Sequence, residues 1–213
     1  MPKRLALLAT GGTIACTPTE NGLAPTLTAA DLLGAIRDRL PCEVEPRDVF
    51  QMDSSNMQPE EWCQLARAVD EALRTFDGVV ITHGTDTMAY TASALSFMLA
   101  GVRKPVILTG SQLPIGHPLT DAPGNLRRAI AAAMLDKGGV YVCFDHKLIS
   151  GVRCVKTHTT AMDAFSSINA PLSGFFDVDG VHLTHPQGFT PAGGLTPEYR
   201  LREGLDPRVM LLK

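Results

Sequence analysis

The sequence predicts an α/β fold, a doubly wound, mostly parallel sheet with helices on both faces. Three observations predict it. Short apolar runs with little polar alternation, LLAT at 7–10, VVIT at 79–82 and VILT at 106–109, suit strands buried on both faces. Segments with apolar residues at three- and four-residue spacing separate them, as crossover helices would. Each of the three runs ends in threonine and passes into a loop of glycines and hydroxyls: TGGT, THGTDT and TGSQ.

The elements follow in order. Residues 4–10 form a strand closed by Gly11 and Gly12, and 16–25 read as a long polar loop. Thr28 is placed to cap a helix, with Asp31 in its first turn, Leu32, Leu33, Ile36 and Leu40 on one face, and Pro41 closing it. Residues 42–50 are extended. Pro59 opens the next helix with Glu60 and Glu61 at its positive end, and Trp62, Leu65, Ala66, Val69 and Leu73 share a face. Strands at 78–82, 105–109 and 139–144 then alternate with helices at 86–100 and 122–135. Prolines and glycines between Pro186 and Pro197 read as a linker, and Val209-Met210-Leu211-Leu212-Lys213 as the opening of a buried strand.

Composition narrows the function. The 213 residues are 45% hydrophobic and carry a net charge of -3 with no basic run, so they can bury a core and do not suit a nucleic-acid backbone. No apolar stretch approaches the ~20 residues that span a bilayer. Met1-Pro2-Lys3-Arg4 precedes a short strand and not a secretory apolar region, which predicts a cytoplasmic protein. The five cysteines form no C-x-x-C pair and have no histidine at ligand spacing, so zinc and cysteine chemistry are not expected; Cys63 and Cys143 read as core residues. His117, His146, His182 and His185 read as surface or turn residues.

In an open α/β sheet, ligands bind beyond the carboxyl ends of the strands. Thr10 and Thr13, Thr82, Thr85, Asp86 and Thr87, and Thr109, Ser111 and Gln112 should therefore converge on one polar site. A phosphate does not fit it: neither G-x-x-x-x-G-K-[ST] nor G-x-G-x-x-G occurs in the sequence. A threonine nucleophile does, given a base to take its proton. No G-x-S-x-G elbow is present, and the His83 ring need not face the site. Lys156 lies in a hydroxyl-rich segment and Asp86 in the hydroxyl-rich turn, so a lysine oriented by a carboxylate is the candidate base. The plain alternatives are a tight turn capped by Thr13 and a solvated surface Lys156.

Together, Thr10-Gly-Gly-Thr-Ile-Ala, Thr82-His-Gly-Thr-Asp-Thr-Met, Thr109-Gly-Ser-Gln-Leu-Pro and Val155-Lys-Thr resemble the bacterial-type L-asparaginases, and Met52-Asp-Ser-Ser-Asn-Met is similar to that family's substrate-binding segment. The Gly-Ser-Gln-Leu-Pro form resembles the cytoplasmic type I branch. The resemblance implies hydrolysis of L-asparagine to L-aspartate and ammonia through an acyl-enzyme, without a cofactor or metal. It implies Thr13 as nucleophile and Thr85, Asp86 and Lys156 as a second polar triad. The substrate would be held by Ser54 and Asp86, with Asp53, Ser55, Thr85 and Ser111 beside them. The Thr85 N–H and the Thr13 loop would supply oxyanion donors. Residues 1–190 would be the N-terminal catalytic domain, and 191–213 a linker and the start of a C-terminal domain that this chain lacks. Members of the family are homo-dimers or homo-tetramers in which a neighbouring subunit completes each site. Many carry a tyrosine after a loop glycine where this sequence has Gly22-Leu23, which removes a hydroxyl. Three other readings stay open: a non-catalytic asparagine or aspartate binder, an inactive shortened chain, and a glutaminase-like subunit of a tRNA amidotransferase.

Overall fold

The computed structural model describes residues 3–20, 22–38, 40–184, 190–191 and 199–209. The chain begins with β1 (Arg4–Gly11), a hairpin of β2 (Cys16–Thr19) and β3 (Gly22–Pro25), and helix α1 (Ala29–Gly34). There follow β4 (Glu43–Met52), α2 (Pro59–Thr75), β5 (Gly78–Thr82), α3 (Met88–Met98), β6 (Pro105–Thr109), α4 (Ala122–Ala133) and β7 (Lys137–Phe144). Shorter strands complete it: β8 (Lys147–Ser150), β9 (Cys154–Lys156), β10 (Phe165–Ser167), β11 (Gly174–Asp177), β12 (Gly180–Leu183) and β13 (Thr190–Pro191).

Five strands in the spatial order β4-β1-β5-β6-β7 are parallel throughout, and β8, β11 and β12 extend the sheet antiparallel beyond β7. After β1 the chain crosses to one side, to β4, and then returns past β1 to β5 and on outward. The crossovers diverge at the β1/β5 boundary, and that divergence opens a crevice at the carboxyl ends of those two strands. Ala9 sits level with Thr82, and Thr82 with Thr109, so the three threonine-terminated strands end at one edge.

Two apolar layers cover the sheet. Ala6, Leu8, Val79 and Ile81 pack with α2 and α3, while Leu5, Leu7 and Val80 pack with α1 and α4. The alternation along β1 and β5 is the two-residue period of a strand buried on both sides. Pro46 is tolerated within β4 because that strand is the sheet's edge. In α2, the Gln58 N–H donates to Glu61 Oε2 at 2.8 Å, ahead of Pro59 in the first turn.

Several elements depart from the sequence reading. The 16–25 loop is the β2/β3 hairpin, with Pro18 level with Leu23. The helix expected to run from Thr28 to Leu40 stops at Gly34, the weakest helix former in it. Ile36 and Leu40 still pack into the same layer from the turns that follow. The expected 86–100 helix begins only at Met88, because Thr85, Asp86 and Thr87 form the turn ahead of it. The small strands after β7 are too short to show a period in the sequence. Cys143 is buried as expected, but Cys63 is half-exposed and its thiol donates to the Glu203 carbonyl at 3.1 Å. Of the 186–197 linker only Thr190 and Pro191 are described, and they pair antiparallel with the start of β7. His185 and four residues of the expected 209–213 strand lie outside the described residues, and Val209 is exposed. Among the described residues no helix is long and apolar enough to cross a membrane.

Candidate active site

The crevice at the β1/β5 boundary holds a cavity of about 130 Å³. Thr13, Asp53, Ser54, Thr85 and Asp86 line it, with Gly12 and Gly84 at its base and Leu23 at its rim. Gly12 adopts φ 76°, a left-handed backbone that side chains resist, and its N–H donates to the Met52 carbonyl at 3.0 Å. A Cβ at Gly12 would stand 2.3 Å from the Gly84 nitrogen, and one at Gly84 would stand 2.4 Å from Ser54 Oγ. The loops after β1, β4 and β5 therefore meet backbone to backbone, and glycine is what permits it. Thr13 opens a single 3₁₀ turn whose next two residues, Ile14 and Ala15, are fully buried anchors. Among the described residues its hydroxyl makes no hydrogen bond.

Lys156 reaches the lining residues Thr85 and Asp86 from β9, outside the cavity itself; β9 is held by pairing with β10, where Phe165 packs edge-on against Phe144 at 4.9 Å. Its Nζ donates to Thr85 Oγ1 at 2.9 Å and to Asp86 Oδ1 at 2.7 Å. The lysine side chain is 16% exposed and Asp86 61%, so the pair is anchored on the lysine side and open to a ligand on the other. Because Thr85 Oγ1 accepts from Lys156, its proton is directed at Gln112 Oε1, 3.4 Å away. Gln112 Nε2 in turn donates to the carbonyls of Thr159 and Ala161, at 3.0 and 2.8 Å, and ties the loop after β9 to the loop after β6. The sequence places Gln112 at this edge but gives no sign of its bridging role.

Asp53 caps the turn at Ser54–Asn56. Its Oδ1 accepts from the Ser55 N–H at 2.8 Å and the Ser55 hydroxyl at 2.7 Å, and these bonds hold its carboxyl below the usual carboxylate range. The Ser55 hydroxyl is also 3.4 Å from Asp86 Oδ2, and its single proton serves one carboxylate at a time. Ser54 is buried, its carbonyl accepting the Thr87 hydroxyl at 2.8 Å. Two carboxylates against one ammonium leave the cavity an excess negative charge, which suits a ligand ammonium. Among the described residues no three His, Cys, Asp or Glu side chains are grouped to hold a metal.

Not every expected residue arrives. Ser111 is fully buried and its hydroxyl donates to the Leu113 carbonyl, outside the cavity lining. His83 faces away from the cavity and is completely buried, which pulls its pKa down to about 4. The unfolded chain takes up a proton at this histidine near pH 6.5, the folded chain only near 4, so falling pH favours unfolding between those values. The slope is about 1.4 kcal/mol per pH unit and the total about 3 kcal/mol. Denaturant titrations at pH 6.5, 5.5 and 4.5 should show that slope, and His83→Asn should flatten it.

Against this geometry, a family model described as "Asparaginase, N-terminal" matches residues 4–187. The chain belongs to the asparaginase family. L-asparaginase of Thermococcus kodakarensis is 44% identical over an alignment that covers 97% of this chain and 66% of the relative. The solved structure of the thermostable enzyme from that organism superposes with a TM-score of 0.85 at 43% identity, covering 96% of this chain and 61% of the other. L-asparaginase I of Vibrio cholerae superposes with a TM-score of 0.82 at 31% identity, over 95% and 61% of the two chains. A glutamyl-tRNA(Gln) amidotransferase subunit of Archaeoglobus fulgidus is 37% identical over 97% of this chain and 51% of its own. The chain thus spans 66% and 51% of the length of these two curated relatives.

Proposed function

We propose that this chain hydrolyses the side-chain amide of L-asparagine to L-aspartate and ammonia, with Thr13 as nucleophile. The observation that carries the reading is the Lys156 ammonium bonded at once to Thr85 and Asp86, two residues that line the same cavity as Thr13. In this reading Asp86 pairs with the substrate α-ammonium, with Asp53 adding negative charge and Ser55 between the two carboxylates. Ser54 binds the α-carboxylate. Thr13 Oγ1 attacks the carboxamide carbon, its proton ends on the departing amide nitrogen, and collapse of the tetrahedral adduct expels ammonia and leaves an ester on Thr13. Water then attacks the ester, its proton passing through the Thr85–Lys156–Asp86 group to the departing Thr13 Oγ1, and L-aspartate leaves. No cofactor is required.

Leu23 stands on the hairpin at the cavity rim, 61% exposed, and contributes apolar cover in place of a hydroxyl. The same reading takes residues 1–190 as the catalytic domain and 191–213 as linker and start of a C-terminal domain, in a cytoplasmic homo-dimer or homo-tetramer. The likeness to an amidotransferase component favours a second reading, release of ammonia from glutamine for another protein chain. Ammonia release from L-asparagine and from L-glutamine, each with the chain at known active concentration, separates the two. Faster kcat/KM on asparagine is expected; preference for glutamine favours the second reading, and binding of either without ammonia overturns the enzymatic one.

A further inference from the structure

Behind the cavity three side chains form a directional chain of hydrogen bonds. The Trp62 Nε1–H, on α2, donates to Thr91 Oγ1 at 2.8 Å, and Thr91, on α3, lies 2.9 Å from His83 Nε2. His83 Nδ1 lies 2.7 Å from the Gly84 carbonyl oxygen. A carbonyl only accepts, so Nδ1 carries the proton and Nε2 does not. Thr91 therefore gives its proton to Nε2 and uses a lone pair for Trp62. Every donor in the chain is matched, and the polarity runs from Trp62 to the Gly84 oxygen. Thr91 and His83 are almost completely buried, and His83 is neutral.

The Gly84–Thr85 peptide is the object of this chain. It is trans, so the Gly84 C=O and the Thr85 N–H lie in one plane and point in opposite directions. The carbonyl is fixed toward buried His83, which does not line the cavity, whereas Gly84 and Thr85 do. The Thr85 N–H thereby faces the cavity, and among the described residues it has no hydrogen-bond partner. Gly84 cannot turn to relieve a misfit, because Gly12 and Ser54 lie against it.

We propose that His83 is a positioning residue, resting on the asparaginase reading above, which aims the Thr85 N–H at the oxygen of the bound carboxamide by holding the Gly84 carbonyl on the far side of their shared peptide. Trp62 and Thr91 keep its ring in the tautomer that can do so. The direction of donation matters: the opposite tautomer would set a ring lone pair against the Gly84 oxygen and loosen the plane. A donor preset in this way acts mainly when charge develops on the oxygen, so its loss falls on kcat more than on KM.

The test compares wild type, His83→Leu, which has no donor, and His83→Asn, whose amide N–H can replace Nδ1–H. In His83→Leu, kcat per folded molecule on L-asparagine should fall ~10²-fold with little change in KM, and His83→Asn should recover most of it. Thr91→Val, which disturbs the chain without touching the cavity, should lower kcat in the same direction. A readout independent of turnover is the Thr85 amide proton, whose NMR shift should move downfield with L-aspartate in wild type and His83→Asn but not in His83→Leu. Equal kcat in all variants, or a Thr85 amide indifferent to bound L-aspartate, overturns the role given to His83 alone. No L-aspartate binding at this cavity overturns the asparaginase reading and the oxyanion role together.

Discussion

Thr13→Ala should abolish ammonia release from L-asparagine, by roughly 10⁴-fold or more, while L-aspartate still binds. Thr13 and Thr85 both present hydroxyls to the cavity, but they are not equivalent. Thr85 Oγ1 already accepts from Lys156 and gives its proton toward Gln112, whereas the Thr13 hydroxyl is bound to no protein group among the described residues. The free hydroxyl is the one able to form a new bond without first breaking two. Its side chain is half-buried at the mouth of a turn held by Ile14 and Ala15, so alanine should leave the fold intact. The measurement is single-turnover ammonia release beside L-aspartate binding by calorimetry. Near-normal turnover in this variant would remove Thr13 as nucleophile and direct attention to Thr85.

Lys156→Met should lower kcat by about 10²- to 10⁴-fold, the range lost with a group that takes part in general acid–base proton transfer. Methionine keeps the length and packing of the stem while removing both donated hydrogen bonds. The stability cost should stay within about 1 kcal/mol, because Asp86 is mostly solvated and keeps water as its partner. Lys156→Arg separates two roles that the geometry joins. An arginine preserves the positive charge beside Asp86 but gives up no proton at working pH. If Lys156 handles the proton, arginine rescues little. Activity restored by arginine would mean that only its charge matters, and the proton route would then lie elsewhere.

Much of this site is legible in the sequence because motif and topology reinforce each other. TGGT and HGTDT close adjacent parallel strands, and any doubly wound sheet brings such ends to one edge. The lysine is harder to place. Lys156 lies far along the chain on a three-residue strand with no period to read, and its place beside Thr85 and Asp86 depends on pairing with β10 and the Phe144–Phe165 contact. Ser111 is expected in the site on the strength of its hydroxyl and its strand end. The structure turns that hydroxyl onto its own loop, a local choice among equivalent acceptors that side-chain chemistry does not settle.

By itself the sequence determined the α/β class, the order of the main strands and helices, and which threonines stand with Asp86 at the strand ends. Those follow from local properties: period, helix caps, glycine turns and apolar runs. Only the tertiary structure decided which of those groups touch. Long-range contacts delivered Asp86 to Lys156. They also set His83 against Gly84 with Thr91 and Trp62 behind it. The physical reason is that a hydrogen bond requires two groups within about 3 Å in a fixed direction. Residues on separate helices and strands reach that condition only once the sheet and its two layers have closed around them.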